Sequence, residues 1–272
     1  MLTKLIKYEF KSTARTFGLI YLVMVLLCSV TGATSNFELE FFEGNTFWGI
    51  LLAVTIMFLF AAIIFTTALN LNRFEKGVFK DEGYLLHTLP VRSWEIIASR
   101  LIPAVVWTVC TVIVMIVSIV FMVLFLTGDF VEFFGELIEA FRELTADYLL
   151  EMAKGLLLSL VSLVAFIVEV YAARSLGHLF QTHQTIWSVG IWFLLNMAQS
   201  NLFNLTLSFA DTYTNAVETS LSSSLNYAYT FGTIMGAYFE TVYPLQILFY
   251  LITSVIFWII TQFVLSKKLN LD

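Results

Sequence analysis

The sequence predicts an all-α integral membrane protein with six transmembrane helices. Of its 272 residues, 59% are hydrophobic and only 12% are charged, and the mean hydropathy is +0.87. Soluble domains carry about 45–50% apolar and about 25% charged residues, so this chain has too few polar side chains to cover a soluble globule. Its apolar residues also gather in six runs, and a run of about 20 residues is enough to cross a bilayer as a helix.

The six runs make one transmembrane domain that occupies the whole chain, residues 1–272. Polar segments separate the runs, and each segment has its own charge pattern. The predicted spans lie at about residues 17–35, 47–69, 101–126, 149–173, 186–207 and 244–265.

The first sixteen residues predict an amphipathic helix with a basic face. Its cations recur at helical spacing between apolar residues, a pattern that suits a helix lying on the membrane surface with its cations at anionic headgroups. These cations are Lys4, Lys7, Lys11 and Arg15. A basic start, an apolar run and the small residues 31–33 also fit a cleaved signal peptide, although the patterned segment is long for a signal n-region.

Lysine and arginine predict how the chain is oriented. Twelve of the 14 lie in residues 1–16, 70–100, 172–184 and 266–272, which six spans place on one side. Because basic residues are retained in the cytoplasm, both termini are expected there. The acidic amphipathic segment 129–148 and the polar-aromatic segment 208–243 are then extracellular.

The most informative segment runs from residue 74 to residue 101, between spans two and three. It is the longest mixed-charge stretch of the chain, and Leu89-Pro90-Val91 divides it into two short amphipathic pieces. Leu85, Leu86 and Leu89 can form an apolar ridge on the first piece, which Gly83 and Pro90 would bound. The residues alone leave two interpretations open, a short helix held by a soluble partner and an ordinary surface loop with snorkelling charges.

This segment resembles the first cytoplasmic loop of ABC-2 type transporter permeases. The likeness lies in the run from Asp81 to Arg92, in Trp94-Glu95-Ile96-Ile97 and in Ser99-Arg100-Leu101. The family commonly has Leu-Leu-x-Thr-Leu-Pro-Val-x-Arg, so Arg92 comes one position early here, and Arg100 stands where lysine is usual. The order of basic helix, six spans, loop and long outer segment is similar as well.

The resemblance implies a partner and a mechanism. Such permeases pair with a separate P-loop ATPase subunit that binds ATP and Mg, and two permease chains, identical or different, form the pathway. The loop carries a cytoplasmic coupling helix that docks on the ATPase. When the ATPase closes, this helix transmits the movement to the transmembrane helices. The residues implied for this contact are Asp81, Glu82, Gly83, Tyr84, Leu85, Leu86, His87, Thr88, Leu89, Pro90, Val91 and Arg92.

The expected function is therefore the permease subunit of an ATP-driven exporter in the bacterial plasma membrane. Its cargo would be amphipathic or hydrophobic, such as a phenol-soluble-modulin-type peptide, a bacteriocin, a drug or a lipid-like molecule. The chain has no GxxxxGK[ST], HExxH or GxSxG motif, so we expect no catalytic residues, no cofactor of its own, no metal and no nucleic-acid partner. The alternative is a membrane scaffold or sensor that signals through the same loop without transport.

Three polar residues inside spans are candidate pathway residues, namely Glu169, Asn196 and Gln199. An acid within a span by default marks a function. Glu169 lies near the end of its span, however, which favours snorkelling to the interface or pairing with Arg174. The amides of span five either line a pathway or bond between helices, and the sequence does not separate these two roles.

Overall fold

A computed structural model of the chain describes residues 2–34, 46–79, 93–128, 130–143, 146–180, 182–221 and 227–267. Every regular element in these ranges is an α-helix, as the composition predicts. The seven helices are α1 (Leu2–Ala33), α2 (Thr46–Val78), α3 (Ser93–Thr127), α4 (Phe130–Glu143), α5 (Ala146–Gly177), α6 (Gln184–Leu221) and α7 (Tyr227–Lys267).

The chain divides into two compact units. Unit 1 is Met1–Leu144 and contains α1 to α4; unit 2 is Thr145–Asp272 and contains α5 to α7. In unit 1 the most extensive packing is between α1 and α3, and α2 packs on both. In unit 2 each of the three helices packs on the other two.

Side-chain contacts define the directions of the helices in unit 1. The start of α1 meets the start of α3 through Glu9 and Arg100, and a methyl group on Gly32 would overlap the Met122 carbonyl near their far ends. These two helices are therefore parallel. In the chain, α2 connects the end of α1 to the start of α3 and so runs in the opposite direction. The start of α1, the end of α2 and the start of α3 therefore lie at the same end of unit 1.

In unit 2, α5 and α6 form an antiparallel hairpin. At the bend the Phe180 and Trp187 rings stack with centroids 4.5 Å apart, and His183 has a left-handed φ of 53°. Gly177 lies directly against Ser188, whose Cα would be 2.8 Å from an added methyl group. Only glycine permits helices to approach this closely.

In the part of the chain that the structure describes, five helices have the length and apolarity to cross a membrane, which is consistent with a multi-pass membrane protein. They are Leu2–Ala33, Phe47–Val78, Ser93–Thr127, Leu149–Gly177 and Val242–Ser266. The predicted span 186–207 lies on α6, which is a helix of 38 residues but is not among the five. A sixth crossing therefore stays a prediction.

The helices run further than the apolar runs that predicted them. No break separates the predicted interfacial helix 1–16 from the first span, because α1 is continuous from Leu2 to Ala33. Segment 208–243, predicted as a connection, is helical in its described parts, and α7 continues through Pro244, where span six was expected to begin. Hydropathy predicts only the part of a helix that contacts lipid. A helix also extends through polar residues where protein or water, rather than lipid, surrounds it.

The segment 129–148 contains the amphipathic helix that its pattern predicts, now bounded as Phe130–Glu143. Its glutamates at positions 132, 136 and 139 are exposed, and so are the apolar Val131, Phe134 and Ile138. Both faces of α4 are thus uncovered by the rest of unit 1.

Candidate functional site

The polar ends of three helices meet at one end of unit 1. We call this region the polar end; it consists of residues 2–16 of α1, 70–78 of α2 and 93–100 of α3. Relative to the predicted first span, α1 begins 15 residues early, which at 1.5 Å per residue adds about 22 Å of helix. The polar end thus extends a three-helix bundle beyond the apolar spans.

A buried ion pair joins α1 to α3 in the polar end. The Arg100 guanidinium contacts the Glu9 carboxylate, and the two residues are only 8% and 5% exposed. Gly77 of α2 lies against the same guanidinium, because an added methyl group would overlap it. Two opposite charges removed from water together stabilise a structure only when their geometry is well defined. The pair thus links α1 to α3 at the point where α2 also approaches the guanidinium.

Hydrogen bonds flank the ion pair on the same helices. Arg73 of α2 donates to the Ser12 hydroxyl of α1 over 2.9 Å, and the Trp107 indole of α3 donates to the Thr13 hydroxyl over 2.8 Å. The Trp107 ring also stacks on Phe17 with centroids 4.6 Å apart. Each helix of the polar end is thus tied to the others by specific polar contacts.

A further ladder of polar contacts continues into the apolar part of unit 1. The Tyr21 hydroxyl donates to the Trp107 carbonyl and lies 3.0 Å from the Thr111 hydroxyl, which is itself 3.2 Å from that of Thr66. Further along, the hydroxyls of Thr31 and Thr55 are 2.6 Å apart. Hydrogen bonds between helices in a membrane contribute about 1 kcal/mol each, so these contacts add to the packing of α1, α2 and α3 on one another.

The basic face of α1 is exposed, as its spacing predicts. All four cations of this face point away from Glu9 and Thr13, which are buried on the opposite side. The exposed cations are Lys4, Lys7, Lys11 and Arg15. Because α1 is continuous, only the Arg15 end lies close to the predicted span, and Lys4 is about 20 Å along the helix from Phe17.

The twelve residues of the expected coupling contact, 81–92, lie outside the described residues. The structure does describe what precedes and follows them, namely the end of α2 and the start of α3. Both belong to the polar end, so the segment 80–92 begins and ends on the same packed body.

Unit 2 brings together two of the three candidate pathway residues. Glu169 of α5 is 1% exposed, and the side chain of Asn196 on α6 hydrogen-bonds its carboxyl group. The Glu169 side chain is thus covered by protein, whereas snorkelling to the interface would expose it. Among the described residues, the Glu169 Oε1 atom has no hydrogen-bond partner.

Gln199 and Trp192 lie on the same side of α6 as Asn196. The spacing of four and three residues along an α-helix brings these side chains into one stripe. The Gln199 Oε1 and Trp192 Nε1 atoms are both buried and have no partner in the part of the chain that the structure describes. Asn196 itself is exposed.

Sequence analysis missed the role of Glu9, although a signal for it exists. Glu9 is the only acid in α1, and it falls on the apolar side of the helix, opposite the four cations. A lone acid at a core position indicates a buried partner. Arg100 was noted only for its resemblance to the family motif, and that motif does not identify its partner.

Comparisons with protein family models, with curated proteins and with solved structures found no match.

Proposed function

We propose that this chain is the permease subunit of an ATP-driven exporter of the ABC-2 type, moving an amphipathic or hydrophobic substrate out of the cell. The observation that supports this most directly is the polar end. The expected coupling segment begins and ends on one packed unit, in which the buried Glu9–Arg100 pair joins α1 to α3 and α2 packs on both.

The mechanical reason is simple. A partner that pushes on a segment moves the spans only if both ends of the segment are held firmly to them. Rigid-body rotation of packed helices is the usual way in which a soluble domain drives a membrane domain. The hydrogen bonds among α1, α2 and α3 support this part of the proposal.

The proposal includes the partners and the location. ATP and Mg bind a separate P-loop ATPase subunit, which docks at the segment 81–92. A second permease chain, identical or different, completes the pathway. Both termini lie in the cytoplasm of a bacterial cell, and α4, with its exposed glutamates, lies at the outer surface of the plasma membrane.

The test is to search the neighbouring reading frames for a P-loop ATPase, to co-express it with the chain and to reconstitute the complex in vesicles. ATP hydrolysis and uptake of a fluorescent amphipathic peptide into inverted vesicles are measured for the wild type and for Leu86→Asp. The charge should abolish uptake and lower the stimulated hydrolysis at least about tenfold, because a buried unpaired charge disrupts an apolar contact. Leu86→Met, which keeps the apolar surface, is the matched control and should retain both.

Intact hydrolysis and uptake in Leu86→Asp would refute the coupling role of the segment. A partner that binds without nucleotide-dependent uptake in the wild type would instead support the scaffold or sensor alternative.

A further inference from the structure

The exposed side of α6 carries polar side chains among its apolar ones, such as Phe193 and Met197. Asn196, Ser200 and Asn204 recur every fourth residue and are all exposed. Amide side chains are costly in hydrocarbon and usually face a bundle interior or a water-filled cavity. These amides lower the apolarity of α6, which is not among the five described helices that are apolar enough to cross a membrane.

Beneath this side lies an incompletely bonded carboxyl group. Asn196 occupies part of the hydrogen-bonding capacity of Glu169, and the Oε1 atom of Glu169 has no partner among the described residues. One turn along α6, the Oε1 atom of Gln199 is also buried and unbonded in the described chain. A buried acceptor without a donor costs about 1–3 kcal/mol, and more when it is charged.

The two unbonded acceptors indicate the chemistry of the missing partner. Glu169 supplies a carboxyl group and Gln199 a neutral amide oxygen, so the group that satisfies them carries N–H donors, and a positive charge on that group complements the Glu169 carboxylate. Such charge-assisted hydrogen bonds are about twice as strong as neutral ones. A ligand without N–H or O–H donors would leave both of these acceptors unsatisfied.

We propose that Glu169, Asn196 and Gln199 form a binding site in unit 2 for an organic cation with N–H donors, such as the ammonium group of an amphipathic amine or peptide. This inference rests on the proposed function in one respect, because it assigns a cationic class of substrate to the exporter. Asn196 is the exposed member of the site and covers Glu169, so the cation reaches the carboxylate by displacing the Asn196 amide.

The site is tested by direct binding to the full chain in nanodiscs, without the ATPase. The probe is monodansylcadaverine, an amphipathic primary amine, and its N-acetyl derivative is the matched neutral probe. Fluorescence polarisation is read against empty nanodiscs, which corrects for partition into lipid. The wild type should bind the amine saturably and the acetylated probe at least about tenfold more weakly.

Three variants assign the binding to these residues. Glu169→Gln removes the charge at nearly constant volume and should weaken amine binding at least about tenfold, and Gln199→Leu should weaken it about threefold. Glu151→Gln changes another acid of α5, whose Oε1 atom is bonded to Lys154 over 2.7 Å, and should leave binding unchanged although its Oε2 atom, like the Oε1 atom of Glu169, has no partner among the described residues.

Equal affinity for the two probes, or unchanged amine binding in Glu169→Gln, would overturn the proposal. If Glu169→Gln does not fold, Glu169→Asp is the second test of the carboxylate. This variant keeps the charge and should bind the amine more tightly than Gln199→Leu does. Since no ATPase is present, loss of amine binding would leave the coupling experiment with Leu86→Asp unaffected, and failure of coupling would not abolish amine binding.

Discussion

The buried ion pair between Glu9 and Arg100 makes a quantitative prediction about stability. Replacing Arg100 by methionine keeps most of the side-chain volume but leaves the Glu9 carboxylate, 5% exposed, without its guanidinium. Removing one partner of a buried pair costs about 3–5 kcal/mol, because the remaining charge is neither hydrated nor paired. Arg100→Met should therefore destabilise unit 1 by about that amount.

The measurement is a double-mutant cycle in the full chain, with unfolding of mixed micelles by a denaturing detergent as the readout. In a Glu9→Leu background no carboxylate remains at that position, so Arg100→Met should cost at least about 1.5 kcal/mol less than it does in the wild type. Lys154→Met is the control, because its i,i+3 contact with Glu151 is partly exposed and should contribute no more than about 0.5 kcal/mol.

A coupling energy below about 0.5 kcal/mol would show that the two charges do not interact specifically, since independent sites add within that margin. The polar end would then not be held as one body, and the mechanical basis of the proposed function would be lost.

A steric change at Gly77 tests the same pair without altering a charge. Alanine normally stabilises a helix by about 1 kcal/mol relative to glycine. At Gly77, however, the methyl group would overlap the Arg100 guanidinium, and overpacking costs about 1–3 kcal/mol, so Gly77→Ala should be destabilising. Gly18 of α1 has open space around it, so Gly18→Ala is the control and should be neutral or stabilising. The opposite order in a melting experiment would contradict the packing of α2 on Arg100.

Two further changes test the packing of each unit. Gly177→Ala should lower the melting temperature, because its methyl group would press on the Ser188 backbone. Gly190 has free space around it, so Gly190→Ala is the control and should leave the melting temperature unchanged. Equal melting temperatures for the two variants would refute the close α5–α6 approach. Thr111→Val removes a hydroxyl that contacts two other helices, so it should lower the free energy of unfolding in detergent by about 1 kcal/mol. Thr67→Val removes only a hydrogen bond within its own helix and should lower it by less than about 0.5 kcal/mol. Equal costs for the two threonines would show that the ladder in unit 1 contributes nothing.

Periodicity predicted helices reliably but placed their ends poorly. The basic face of α1 and the amphipathic α4 follow from spacing alone, because each depends only on neighbours along one helix. The continuity of α1 and the early start of α7 could not be predicted in the same way. Polar residues in a helix are tolerated when another helix covers them, and that cover comes from distant parts of the chain.

The candidate site divides in a similar way. Glu169 was recognised from its rarity within an apolar run, yet the proximity of the span end favoured snorkelling. Its partner Asn196 lies on the next helix, and only the α5–α6 hairpin brings the two together.

Composition and local pattern are enough to establish that this chain is a helical membrane protein with a basic start and one unusual charged segment. Those properties depend on how each residue partitions between water and hydrocarbon, which any stretch of sequence carries by itself. The pairing of Glu9 with Arg100 and the burial of Glu169 depend instead on helices far apart in the chain packing side by side. Charges and amides inside a membrane protein acquire their roles from those neighbours, because an unpaired polar group there is too costly to persist.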